Sequence, residues 1–154
     1  PTTPEIVYGF GPSFHYKGFD FSFFFQGVAK TSLFMSGLQP FGTMMENKNV
    51  QKFIADDRWS PENQNIFAEY PRLTIERSAN NSTTSTYWER NGAFLKLKNA
   101  EIGYTFKSMR LYLRGSNLLT FSKFKLWDPE QGGGNGLKYP TQRVFNIGFQ
   151  MTIK

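Results

Sequence analysis

Large apolar residues recur at every second position through both ends of the chain. In the closing stretch RVFNIGFQMTIK, Phe145, Ile147, Phe149, Met151 and Ile153 alternate with Asn146, Gly148, Gln150, Thr152 and Lys154. A period of two belongs to a β-strand with one apolar and one polar face. The opening stretch IVYGFGPSFHY behaves the same way. Ile6, Tyr8, Phe10, Phe14 and Tyr16 share one parity, Gly9, Gly11, Ser13 and His15 hold the other, and Val7 departs from it. After Lys17 and Gly18, Phe19, Phe21, Phe23 and Phe25 oppose Asp20, Ser22 and Gln26, with Phe24 and Val28 as exceptions. A two-residue link containing Gly between such segments predicts a hairpin.

Three further strands are predicted. In YWERNGAFLKLKNAEIGYTF, Leu95 and Leu97 share one parity while Ala100, Ile102, Tyr104 and Phe106 take the other. The phase slip near Lys98 and Asn99 predicts a β-bulge. Lys107 and Ser108 form a second two-residue link, and then Met109, Leu111, Leu113, Leu119 and Phe121 face away from Arg110, Arg114 and Ser116. The predicted strands are thus about 5–16, 19–30, 87–106, 109–122 and 143–154, with long loops over about 31–86 and 123–142. The first loop is rich in turn formers, and SPEN predicts a short helix capped by Ser60.

The tight links and the long loops alternate, so all the tight links fall at one end of the strands. This is the asymmetry of outer-membrane barrels, with short periplasmic turns and longer extracellular loops. The strands reach or exceed the roughly 9–11 tilted residues that cross a bilayer. Tyr16, Phe19, Tyr104 and Phe106 flank the tight turns where an aromatic girdle belongs, with Phe121 and Phe145 toward the other interface. The sequence therefore predicts an all-β chain, a segment of an antiparallel transmembrane β-barrel whose apolar stripe meets the lipid bilayer. Strand parity further implies that the barrel begins upstream of Pro1. The competing architecture is a soluble β-sandwich with the Phe stripe as its core, functioning as a soluble or surface adhesin or binding module. A loop exceeding 50 residues suits a sandwich poorly.

Composition narrows the function classes. Aromatic residues make up 18% of the 154 residues, with 17 Phe, yet the mean hydropathy is −0.47. No stretch approaches the roughly 20 consecutive apolar residues of a spanning helix. The absence of Cys excludes disulfides, thiolate metal sites and Cys nucleophiles. Although the net charge is +6, the 18 Lys and Arg are scattered singly, so nucleic acid is not an expected partner. The single His15 has no second His or Cys to complete a catalytic or metal site. GGGNG lacks the Lys-Ser/Thr of a phosphate loop. No catalytic residue, metal or cofactor is expected. Asp56, Asp57, Asp128 and Glu130 read as cation ligands or as acids that fix turns, and in DPE the Asp128 carboxylate can accept from nearby backbone amides. Trp59, Trp88 and Trp127 lie in or beside the loops, either to stack on a sugar or partner or to anchor the loops. These three and Asp128 are the candidate substrate or partner contacts.

Taken together, YKGFDFSFFFQG, DDRWSPENQN with YPRL, STYWERNGAFLKLKNAEIGYTF, RLYLRGSNLLTFSKFKLWDPE and YPTQRVFNIGFQ resemble the C-terminal end of a SusC/RagA-type TonB-dependent outer-membrane transporter. The resemblance implies about the last five strands of a plugged barrel of about 22, in the outer membrane of a member of the Bacteroidota. It implies a SusD-like lipoprotein partner, import of oligosaccharides or peptides, and energy delivered by TonB through upstream parts. It also implies that Phe145, Ile147, Phe149, Met151 and Ile153 face lipid and carry the assembly signal. The family usually ends on an aromatic residue, whereas this sequence ends Ile153-Lys154. Either Phe149, Met151 and Ile153 carry that signal, or the true end lies further on.

Overall fold

A computed structural model describes residues 1–36, 49–75 and 78–153, and the question of Lys154 lies outside them. The elements are β1 (Ile6–Phe10), β2 (Ser13–Tyr16), β3 (Phe19–Ala29), β4 (Ser32–Phe34), α1 (Lys52–Asp56), α2 (Ala79–Ser82), β5 (Glu89–Asn91), β6 (Phe94–Phe106), β7 (Met109–Ser122) and β8 (Val144–Met151). Two compact units are distinguished, one of Pro1–Leu33, Asn91–Gly132 and Lys138–Lys154, the other of Phe34–Arg90 and Gly133–Leu137.

The first unit is an antiparallel sheet in the order β1–β3–β6–β7–β8, with β2 also paired to β3. β1 and β2 keep one register against β3, because Phe10 opposes Phe25 and Ser13 opposes Ser22. The ladder lapses between them at Gly11 and Pro12, where Pro lacks an amide hydrogen. Both hairpins turn in two residues, and their geometry demands left-handed backbone: Lys17 and Gly18 have φ of 46° and 86°, and Lys107 has φ of 52°. The phase slip is a pair of bulges. Lys98 is the extra residue of β6 against β3, while Asn117 and Leu118 of β7 together oppose Lys98. Asn117 takes φ of 55° to make this possible. The two bulges realign the apolar sets, so the parity change in β6 leaves the sheet faces intact.

Register then assembles one apolar face. Across the sheet, Phe21, Ile102, Leu113 and Ile147 stand in one row, and Phe19, Tyr104, Leu111 and Phe149 in the next. Aromatic rings run along this face, Phe10 on Phe25, Phe21 on Phe23, and Phe19 on Tyr104 with centroids 4.5 Å apart. Among the described residues nothing covers it: Ile147 is 78% exposed and Leu111 58%. Among the described residues no second sheet packs on these Phe side chains, so the sandwich alternative fails. No helix among the described residues is long and apolar enough to cross a membrane.

The second unit is built of short elements around Met35, Ile54, Tyr70 and Trp88, all buried. Tyr70 is tied into it by its amide, which donates to the Asp57 carbonyl at 3.2 Å, and by its carbonyl, which accepts from Trp59 at 3.0 Å. The helix predicted after Ser60 does not form. Ser60 closes a turn instead, with its carbonyl and its Oγ both accepting from the Asn63 amide. The cap is satisfied locally, and PENQN has no apolar stripe whose burial would extend a helix.

Candidate functional site

Opposite the apolar face, the sheet is polar and carries two charge clusters. The first sits toward the tight-turn end. Arg110 donates from Nε to Asp20 Oδ1 at 3.1 Å and from Nη2 to Glu101 Oε1 at 2.6 Å, with a further bond to Asp20 Oδ2. It therefore links β3, β6 and β7. Gly103 makes the crossing possible, because a Cβ there would lie 2.7 Å from the Arg110 and Asp20 head groups. The guanidinium also stands 4.8 Å from the Tyr112 ring centroid, and that ring lies over Gly148 of β8. His15, on the same face, opposes Asp20 across β2 and β3.

The second cluster lies toward the loop end, where the segment after β7 folds back onto β6. Asp128 caps a short 3-10 turn (Pro129–Gln131), its Oδ1 accepting from the Glu130 amide at 3.1 Å. This is the turn-fixing role available to an Asp before Pro. Its other oxygen accepts from Lys96 Nζ at 2.5 Å, and Glu130 accepts from Lys96 at 2.7 Å and from Lys98. Lys96 is 1% exposed, so two carboxylates compensate the burial of its charge. Burial pushes the Asp128 carboxyl up, but the Lys96 ammonium, the Glu130 amide and the Thr141 hydroxyl outweigh it and hold it below the usual carboxylate range. Glu130 is likewise raised by burial and lowered more by Lys96 and Lys98.

Beside this turn lies a cleft of about 260 Å³, lined by residues including Lys96, Thr120, Lys125, Trp127, Asp128, Thr141 and Arg143. Two of the candidate contacts, Trp127 and Asp128, are thus brought together. Trp127 is half-buried, its indole N–H donating to the Gly132 carbonyl at 2.9 Å and its ring meeting Phe124 edge-on at 4.5 Å. Trp59 is half-buried in the second unit. Trp88 is 1% exposed, with its indole N–H donating to the Asn81 carbonyl at 3.0 Å, which is the loop-anchoring geometry. Asp56 pairs with Lys52 at 2.5 Å along α1. Among the described residues no acidic or His group is arranged to hold a metal ion. Phe145, Ile147, Phe149, Met151 and Ile153 are all exposed, from 52% to 83%.

Parity places Asp20, Arg110 and Arg114 on the polar face, but the Arg110 ion pairs and the burial of Lys96 are not apparent from it. The available signal was the hairpin turn at Lys107-Ser108, which sets Arg110 opposite Thr105 and Arg114 opposite Glu101. No comparable signal sets β3 against β6, because a long segment separates them.

An uncovered apolar face across every strand, a charged opposite face, tight turns at one end and long loops at the other define the wall of a transmembrane β-barrel. No family model matches the chain. It is 30% identical over 177 residues to TonB-dependent receptor P26 of Formosa agariphila, which covers 97% of this chain and 17% of that protein. It is 24% identical over 159 residues to TonB-dependent receptor SusC of Bacteroides thetaiotaomicron, covering 96% of the chain and 15% of SusC. The RagAB peptide importer in its open-open state superposes with a TM-score of 0.75 at 23% identity, over 99% of this chain and 17% of that one. Over nearly its whole length the chain is thus similar to SusC/RagA-type TonB-dependent receptors of the bacterial outer membrane. It spans less than a fifth of the length of these relatives.

Proposed function

We propose that this chain forms about the last five strands of a plugged barrel of about 22 strands that imports nutrients, oligosaccharides or peptides, across the outer membrane. In this reading a SusD-like lipoprotein cooperates from outside, and TonB supplies energy through parts of the transporter not contained in this chain. The chain itself is wall and loop rather than enzyme. The observation that carries the reading is the uncovered apolar face set against the charged inner face. The relatives support it: they are receptors, and the superposing structure is that of a peptide importer. Among the described residues β1 and β2 at one side and β8 at the other have a partner on one edge only, so the same reading pairs both edges with the rest of the barrel. Phe145, Ile147, Phe149, Met151 and Ile153 then face lipid and contribute to the assembly signal, and Trp59, Trp127 and Asp128 are loop contacts for substrate or partner.

The test is uptake of labelled oligosaccharides and peptides by cells that carry the whole transporter. Uptake is expected to disappear on deletion of TonB and to fall on deletion of the cognate lipoprotein. Uptake indifferent to both deletions overturns the reading, as does recovery of the protein as a monodisperse monomer without detergent.

A further inference from the structure

We propose that the cleft beside the Asp128–Glu130 turn is a binding subsite for an acidic sugar unit of an oligosaccharide. The proposal deepens the import reading and rests on it. Three cations, Lys96, Lys125 and Arg143, line the cleft against one carboxylate, that of Asp128. Lys96 is committed, since two carboxylates hold its ammonium at 2.5 and 2.7 Å. Lys125 and Arg143 make no ion pair among the described residues, and both are exposed. Their charge is therefore available to a ligand anion, with Arg offering the planar fork that suits a carboxylate.

The remaining lining selects what carries that anion. Trp127 is pinned by its own N–H bond to Gly132 and by the Phe124 edge, so it presents a preset plate at little entropic cost. Thr120 adds a hydroxyl and Asn117 an amide oxygen of the kind that meet sugar hydroxyls, while the Thr141 hydroxyl is held by Asp128. A peptide side chain would use the cations and leave much of this polar lining unmatched. The volume of about 260 Å³ lies just below the roughly 300 Å³ at which sites for small molecules begin, a scale that suits a single ring rather than a long segment. Thr120 lies on the same face of the sheet as Lys96, its opposite number in the β6–β7 ladder. The cleft thus opens on the polar face at the loop end of the strands, on the path a ligand takes into the lumen.

The experiment is a titration of the intact transporter in detergent, read by tryptophan fluorescence and calorimetry, with a hexuronate oligosaccharide and its carboxyl-reduced counterpart. The acidic form is expected to bind about tenfold or more tighter than the reduced one, and added salt should weaken only the acidic form. The Lys125→Ala/Arg143→Gln double variant should lose that advantage, weakening the acidic form about tenfold more than the reduced one. Trp127→Leu should weaken both forms together, and an unchanged β-sheet circular dichroism spectrum confirms that each variant is folded. Equal binding of the two forms, full retention of affinity in the double variant, or binding of an acidic peptide in preference to the oligosaccharide overturns the proposal. Because the titration needs no TonB, its failure is distinct from failure of the uptake test.

Discussion

On one face of β7, Leu111 and Leu113 stand in rows of aromatic and aliphatic neighbours with none of the described residues over them. One residue along, Arg110 reaches across two strands to Asp20 and Glu101. The difference shows what each face is solvated by. An apolar side chain left uncovered is tolerable only where the surroundings are apolar, and hydrocarbon contributes no hydrogen bonds to a charge. The polar face does the reverse, pairing its charges and capping its loop turn with them, as a wet surface allows. A soluble protein would have its largest apolar residues inside. Here the largest fully buried side chains among the described residues are Trp88, Lys96 and Ile54, and two of these lie in the second unit.

The comparison is broken most severely by putting a charge on the apolar face. Leu113→Arg, in the row shared with Phe21, Ile102 and Ile147, should cost about 2–4 kcal/mol in a lipid refolding assay. Phe149→Arg, two positions nearer the tight turns, should cost less, about 1–2 kcal/mol, because the penalty falls toward the interface. Gln150→Arg, on the polar face, should be milder still, and equal costs at Phe149 and Gln150 would contradict the assigned facing.

The polar face is sharpened by removing the cation that holds it. Arg110→Met leaves Asp20 and Glu101 unpaired beside each other and should cost about 1–2 kcal/mol, a modest figure because these groups are partly solvated. Adding Asp20→Asn should restore much of the loss, as read by the same refolding assay.

Acid should undock the loop turn. The Asp128 and Glu130 carboxyls lie below their unfolded values of about 3.9 and 4.3. Their contribution is therefore fully present above the unfolded values and is lost as pH falls through the lower folded ones. Hydrogen exchange of the Glu130 and Gln131 amides should be unchanged down to about pH 5 and accelerate, after correction for intrinsic rates, only below about pH 4. Acceleration between pH 5 and 7 would remove the carboxylates from the account. The smallest effect belongs to the turns. Lys107→Asn, at φ of 52°, should stabilise by roughly 0.5 kcal/mol, since Asn tolerates left-handed backbone better than Lys.

The alternation of residues determined the strands of the main sheet, except over 87–93, where a 3-10 turn (Thr86–Trp88) and β5, paired with β4, replace the predicted start of the third strand. It also determined the direction each side chain faces, both tight turns and the bulge near Lys98, because these depend on neighbours a few residues apart. The split of the first strand at Gly11-Pro12 was equally local, although the same alternation runs straight through it. The Ser60 helix failed for a local reason too, the missing apolar stripe. What tertiary structure alone decided was which polar residues meet. Asp20 and Arg110 are 90 residues apart, and Lys96 and Asp128 are 32 apart. The lateral register of β3 on β6 and the fold-back of the segment after β7 bring them together, and no two-residue turn sets either one. Burial of Lys96 and the cleft beside Trp127 follow from those long-range contacts, whereas the exposed stripe from Phe145 to Met151 was already written in the period of two.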